Sequence, residues 1–336
     1  MNQTAVVILN WNGIKFLEKF LPTVLACSQN ADIIVADNGS ADDSVAFVKA
    51  NFGAVQVLEL GANYGFADGY NRALKLIDYT YFVLLNSDVE VTENWLEPLV
   101  NVLKNEPDTA ACQPKMLSYA NKTAFEYAGA AGGFIDRFGY PFCRGRILNE
   151  IENDYGQYNE GTEIFWASGA CLVIKSDVYN KMNGFDSGFF AHMEEIDLCW
   201  RIWNNGFKIK YVPQSTVYHV GGGTLPNESP FKLYLNFRNN LYMLTKNLPK
   251  SKLVSTLIFR MILDGIAGIV YIKNGKFRNF GVILKAHAHF YKALPALLQQ
   301  RKNLKQLPTI AHIYKNSILW SFFINRKKTY NELISK

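Results

Sequence analysis

Four short apolar runs alternate with helix-period segments in the first 110 residues, and that order restricts the fold more than any other feature. TAVVIL, DIIVAD, VQVLEL and YTYFVLLNSD read as buried strands. GIKFLEKFLPTVLAC, ADDSVAFVKANF and GYNRALKLI read as the helices between them, the second opening with acids in its first turn. TENWLEPLVNVLKN is a fourth helix, with Thr92 as its N-cap. Strand–helix alternation at this spacing predicts a largely parallel sheet with helices on both faces. The chain has 336 residues, 49% of them hydrophobic, enough to bury a substantial core in one large domain with an appendage or in two domains.

Open sheets of this kind bind ligands at the carboxyl ends of their strands. Those ends are Asn10-Trp11-Asn12, Asp37-Asn38-Gly39-Ser40, Gly61-Ala62-Asn63 and Asn86-Ser87-Asp88, all rich in hydrogen-bonding groups. Asp37 suits a nucleobase or ribose contact, or an Asx-turn that caps the next helix. GANYGFADGYNRAL places Gly61, Gly65 and Gly69 ahead of a helix, a weak phosphate signal that fits neither GxGxxG nor the Walker pattern. Asp88 is either a solvated strand end or a ligand for Mg²⁺ or Mn²⁺, which prefer oxygen.

Farther along, 111–165 has a weak pattern of irregular strands and loops. IFWASGACLVIKSDVYNKMNGF is a strand and a short helix, EEIDLCWRIWNNG a helix stopped by Gly206, and FKIKYVPQSTVYHV a strand pair. Glu194, Glu195 and Asp197 open the second of these helices. They are helix-start acids favoured by the dipole, or they include a general base whose pKa the preceding apolar residues raise. At spacing i and i+3, Glu194 and Asp197 share a helix face while Glu195 points elsewhere. His219 ends an apolar strand before Gly221-Gly222-Gly223 and is either structural or a neutral imidazole ligand.

Five cysteines without CxxC spacing argue against a disulfide framework or zinc, and suit reduced thiols in a cytosolic protein. The opening run has no basic n-region and no small-residue cleavage site, so no signal peptide is expected. The net charge of +6 hides a division. Residues 231–336 hold 19 Lys and Arg against two acids, net +17, and 1–230 hold 16 against 27, net −11. From about 231 onward helices are expected. The apolar stretch 253–272 is long enough to cross a bilayer, but Arg260 and Asp264 at i and i+4 favour an interfacial or packed helix over a span. The basic amphipathic segment that follows suits an anionic membrane surface better than nucleic acid, for which no motif is present.

Taken in order, Asn10-Trp11-Asn12, Asp37-Asn38-Gly39-Ser40, NYGFADGYN, Asn86-Ser87-Asp88, WASGA, Gly184-Phe185-Asp186, EEIDLCWR and His219 resemble the family 2 inverting glycosyltransferases of GT-A fold. The nearest likeness is to the rhamnosyltransferase-like group of bacterial surface polysaccharide synthesis, over roughly residues 4–245. The resemblance implies an α/β GT-A domain at 1–230, with a nucleotide-sugar half at 1–110 and an acceptor and catalytic half at 111–230. A helical, basic, membrane-associating region would occupy 231–336.

It implies a dTDP- or UDP-sugar donor held by Asn10, Asp37, Asn63, Asn71, Asn86 and Gly169, with Asp37 on the uracil or thymine. Asn86-Ser87-Asp88 stands where the family has Asp-x-Asp. Asp88 would then ligate Mg²⁺ or Mn²⁺, Asn86 would only hydrogen-bond, and His219 would give a second metal or diphosphate contact. The family's acidic pair usually reads Glu-Asp with its second member as base, which falls on Glu195; Glu195 or Glu194 would act, and His192 would touch the acceptor. The implied acceptor is a lipid-linked glycan at the cytoplasmic membrane face. Two other readings remain: a sugar-nucleotide pyrophosphorylase, which usually needs a Gly-rich basic loop after strand one that Asn10-Trp11-Asn12-Gly13 lacks, and a non-catalytic glycan-binding or scaffold protein.

Overall fold

The computed structural model describes residues 2–221, 229–310 and 312–335; Gly222 and Gly223 lie outside them. The expected alternation is present. β1 (Thr4–Asn10), α1 (Ile14–Cys27), β2 (Asp32–Asp37), α2 (Ser44–Asn51), β3 (Gln56–Glu59), α3 (Gly65–Leu74) and β4 (Tyr81–Asn86) follow one another. β1 pairs in parallel with β2 and β4, and β2 with β3. Side chains alternate across the pleat, so one strand feeds two cores. Val6 and Ile8 pack with Leu17, Leu21 and Trp95 on one face. Ala5 and Val7 pack with Tyr70, Ala73 and Leu74 on the other.

Two local expectations fail at the ends of this half. β5 (Val89–Val91) intervenes before α4 (Leu96–Asn105), and the cap position falls on Trp95. Thr92 is not the N-cap, because its hydroxyl donates to the Thr216 carbonyl at 2.8 Å. The acids of ADDSVAF precede α2 rather than occupying its first turn. Asp42 there accepts hydrogen bonds from the main chain of Ile14 and Ser44.

The region expected to be irregular contains a major strand. β6 (Thr109–Ser118) is ten residues long and almost wholly buried. Short strands β7 (Gly133–Asp136), β8 (Pro141–Cys143), β9 (Arg146–Ile147) and β10 (Glu150–Ile151) form a second sheet, and β11 (Thr162–Glu163) returns to the first. β12 (Cys171–Lys175) leads into α5 (Ser176–Lys181), and α6 (Glu194–Asn204) into β13 (Lys208–His219). β13 is one twelve-residue strand, not the expected pair. Its parallel register with β6 shifts between Val212 and Thr216, where Pro213 has no N–H to give the ladder. The main sheet runs β11-β13-β6-β12-β4-β1-β2-β3, with β5 on β13 and β12 antiparallel to both neighbours.

Three long helices follow: α7 (Pro230–Asn247), α8 (Lys250–Lys273) and α9 (Phe277–Lys302). The chain then returns as β14 (Ile313–Tyr314), which extends the second sheet on β7, and ends in α10 (Ile318–Phe323) and α11 (Tyr330–Ile334). α8 is long and apolar enough to cross a membrane by length and composition. Its Arg260 and Asp264 are buried and paired at 2.8 Å. Arg260 also donates to Asn240 at 2.7 Å, and His287 of α9 lies 3.0 Å from Asp264. The opposite face leaves Ile258, Ile262, Ile266 and Ile269 about half exposed.

Candidate active site

The sheet's carboxyl edge opens into a cavity of about 970 Å³. Asn63, Asn86, Asp88, Gly169, Glu194, Glu195 and His219 line it, together with His192. The register assembles this edge. β12 enters beside β4, so the Asn86 N–H donates to Ala170 O at 3.0 Å and Gly169 reaches the cavity. β5 pairs with the end of β13, opposing Val89 to His219, and the Val220 N–H donates to Asp88 O at 3.1 Å.

Asp88 and His219 are buried side by side, with Oδ1 and Nε2 3.2 Å apart. The other ring nitrogen, Nδ1, lies 3.2 Å from Oε1 of buried Glu126. Burial opposes charge on this imidazole, but the Glu126 and Asp88 carboxylates outweigh it and push the pKa up to about 10. A divalent cation at the same carboxylates would have to displace that proton before the imidazole could ligate it. An imidazole nitrogen and a carboxylate oxygen this close, backed by a second carboxylate, match the donor set and orienting partner of a divalent-ion site. Among the described residues no group of three His, Cys, Asp or Glu could hold a metal ion by itself. Ligands from outside the chain, such as diphosphate oxygens, would complete the shell. Glu126 carries no motif in the sequence, and only the folding of 119–133 over β6 brings it here.

Three of the expected donor residues, Asn71, Asp37 and Asn10, lie elsewhere. Asn71 does not line the cavity. Its amide donates to Phe185 O at 2.8 Å and accepts from the Phe185 N–H and Tyr179 hydroxyl, holding the Gly184–Phe185 turn. Asp37 is buried beside Asn10 but behind the cavity surface. It accepts from Asn10 Nδ2 at 3.3 Å and the Ser40 N–H at 3.0 Å. The first is a cross-strand side-chain contact between β1 and β2, and the second closes the turn that follows β2. Asn10 Oδ1 has no hydrogen-bond partner among the described residues. Asn63 lines the cavity and caps the Gly65 N–H at 2.9 Å. The glycine loop does not offer its helix start to an anion, since the Phe66 and Ala67 N–H groups donate to Phe190 O at 2.7 and 3.1 Å.

Glu194 and Glu195 both face the cavity, and each leaves one buried oxygen without a partner among the described residues. Asp197 does not join them. It is fully buried against α7, where Arg201, Lys246 and Asn247 bind it at 2.9, 2.9 and 2.7 Å. The expectation that Glu194 and Asp197 share a face while Glu195 points elsewhere is therefore corrected. Successive helix residues are about 100° apart, and the cavity takes the arc of 194 and 195 while 197 lies beyond it. Burial raises the Glu195 carboxyl to about 7, and main-chain N–H groups at the start of α6 offset this only in part. Burial, then the adjacent Glu195 charge, raises Glu194 well above the usual carboxylate range. Burial and Lys232 lower His192 to about 4, so its ring is neutral, and its buried Nε2 has no partner among the described residues.

The segment just before the pair is strained. Phe190, His192 and Met193 have φ of 65°, 66° and 73°, a left-handed region that costs about 1–3 kcal/mol per non-glycine residue. Gly65 makes room for it, because a Cβ there would stand 2.5 Å from the Phe190 ring.

The glycosyl transferase family 2 model matches residues 5–182, more than half of the chain. The N-acetylglucosaminyl-diphospho-decaprenol L-rhamnosyltransferase of Mycobacterium tuberculosis is 26% identical over 231 residues, covering 64% of this chain and 75% of that protein. Rhamnosyltransferase WbbL of Escherichia coli K12 is 22% identical over 223 residues, covering 64% and 82%. Among solved structures, GalNAc-T7 with UDP, GalNAc and Mn²⁺ superposes with a TM-score of 0.61 at 16% identity, over 97% of this chain but only 57% of its own. S. aureus TarS 1-349 with UDP-GlcNAc gives 0.57 at 14%, over 89% and 83%. These likenesses establish the GT-A fold and leave the pyrophosphorylase and scaffold readings without support. The chain belongs to glycosyl transferase family 2, and it is a glycosyltransferase.

Proposed function

We propose that this enzyme moves a hexosyl group, rhamnose or a related sugar, from a dTDP- or UDP-sugar to a hydroxyl of a lipid-linked glycan. It does so by one inverting displacement at the cytoplasmic membrane face. The observation that carries the reading is a single cavity holding both the Asp88–His219 pair and the Glu194–Glu195 pair. Glu195 removes the acceptor proton as the hydroxyl attacks, since a carboxylate near pH 7 combines availability with basicity. Burial and the adjacent Glu195 charge disfavour the ionised form of Glu194. Asn63, Asn86 and Gly169 border the donor, and a main-chain donor or the sugar satisfies Asn86, which cannot replace a carboxylate. Asp88 and His219 would hold Mg²⁺ or Mn²⁺, which would supply charge compensation for the departing diphosphate. Asp37 contributes through Asn10, whose free Oδ1 can receive a donor group. Asn71 acts at a distance, by fixing the Gly184–Phe185 turn.

The relatives named for rhamnosyl transfer support the donor class, and the word decaprenol in one of their names supports the lipid-linked acceptor. The basic 231–336 region and the exposed isoleucines of α8 support attachment to anionic lipid, with the Arg260–Asp264 pair keeping the other face on the protein.

A screen of nucleotide sugars for release of free nucleoside diphosphate identifies the donor. Glu195→Gln is expected to abolish transfer while calorimetry still detects UDP or dTDP in the presence of Mn²⁺. Normal turnover in that variant would remove Glu195 as the base and leave Glu194 to be tested in the same way.

A further inference from the structure

The acids of the active site sit at the end of a strained segment, and a helix outside the family-matched residues holds that segment. Asn239 of α7 is fully buried. Its Nδ2 group faces three main-chain carbonyls: Phe189 O at 3.0 Å, Ala191 O at 2.8 Å and His192 O at 2.7 Å. Two hydrogens shared among three carbonyls fasten the backbone on both sides of the left-handed residues. Arg238 sets the direction of this amide, with Nε donating to Asn239 Oδ1 at 2.8 Å, which turns the Nδ2 side to the loop. The same guanidinium donates to Gly188 O and Phe189 O, both at 3.0 Å. None of these contacts touches a side chain that lines the cavity; apart from the Arg238–Asn239 bond, all are to main chain leading into Glu194.

We propose that Asn239, oriented by Arg238, is a positioning residue that holds segment 189–193 in its left-handed course and so aims the Glu194–Glu195 pair into the cavity. The proposal rests on the proposed function for the role of the pair. The physical reason is that a backbone with several left-handed non-glycine residues relaxes unless its surroundings over-determine it. A helix whose first turn follows such a segment moves with it, and a carboxylate displaced by about 1 Å can cost on the order of a hundredfold in rate. Asn240, the next residue, gives a control. It is equally buried, but it donates to Gly139 O at 2.7 Å and accepts from Arg260, on the side away from the loop.

The test compares the full-length wild type with Asn239→Leu, Asn239→Ala and Asn240→Ala. Both Asn239 variants are expected to lower kcat at least about tenfold, with donor KM and Mn²⁺-dependent UDP or dTDP affinity within about threefold of wild type. Asn240→Ala is expected to lower Tm comparably and leave kcat within about threefold. Amide hydrogen exchange of the peptide spanning 187–195 should accelerate in the Asn239 variants and not in Asn240→Ala. Wild-type protection of that peptide in the Asn239 variants, or a kcat no lower than that of Asn240→Ala, would overturn the proposal. A wild type that releases nucleoside diphosphate from no nucleotide sugar would instead sink the proposed function, and the exchange measurement would still decide whether Asn239 holds the loop.

Discussion

Burial raises the Glu195 carboxyl to about 7, and two consequences can be measured. A base works deprotonated, so kcat/KM should climb with pH up to about 7 and level off above it; a flat profile from pH 5.5 to 8 would exclude Glu195. Stability runs the other way. The carboxyl shifts from 4.5 in the unfolded chain to about 7 in the fold, so between these values the native state binds more protons, and stability falls as pH rises. Glu195→Gln removes this penalty. It should raise Tm at pH 8 by a few degrees and by much less at pH 5, as thermal unfolding at the two values would show. The pair was legible in the sequence because two adjacent acids ahead of an amphipathic helix are conspicuous. Glu126 was not legible, because its only distinction is lying 3.2 Å from a histidine 93 positions away, the gap between residues 126 and 219.

At the scale of elements, the helix period correctly ended α6 before Gly206 but misassigned Asp197. An isolated helix shows which residues share an arc; it does not show which arc meets solvent, a cavity or another helix. α7 decides that here, by bringing Lys246 and Asn247 to Asp197. Asp197→Ala would take from buried Arg201 its carboxylate partner and leave Lys246 with Asp186 alone. Removing one partner of a buried pair costs about 3–5 kcal/mol, so urea unfolding should show a loss of that order, with α6 detaching from α7. An unchanged midpoint would mean that water solvates the two cations in the folded state. The strand ends were legible because each continuous apolar run stops where polar residues begin. β13 was misread as a pair because Pro213 is a breaker in isolation, whereas a bulge accommodates it inside one strand.

For the whole molecule, the division of charge between an acidic body and a basic tail matches a division of surface. α8 turns Arg260 and Asp264 inward and leaves isoleucines outward. Vesicles rich in anionic lipid should therefore bind the protein, less strongly as salt rises, because charges separated by more than about 10 Å are largely screened at 0.1 M. The double substitution Ile262→Glu and Ile266→Glu should abolish sedimentation with such vesicles while keeping nucleotide binding. Retained sedimentation would shift the contact to α9 or α10. The tail also returns to the body, since β14 extends the second sheet and the Ile318 N–H donates to Asp136 at 2.9 Å.

The strand–helix alternation of the first 86 residues, the polar edge at the strand ends, the basic tail and the motif sequence of a family 2 glycosyltransferase were all determined by the sequence alone. Each depends on periodicity, composition or short spacing, which one chain carries locally. Tertiary structure alone decided that Asp88 meets His219 across 131 positions, that Glu126 backs that histidine, that Asn71 and Asp37 stand behind the cavity, and that Asn239 holds the loop before Glu194. Those facts follow from strand register and helix docking. They are set by which buried surfaces pack together, and no local pattern encodes them.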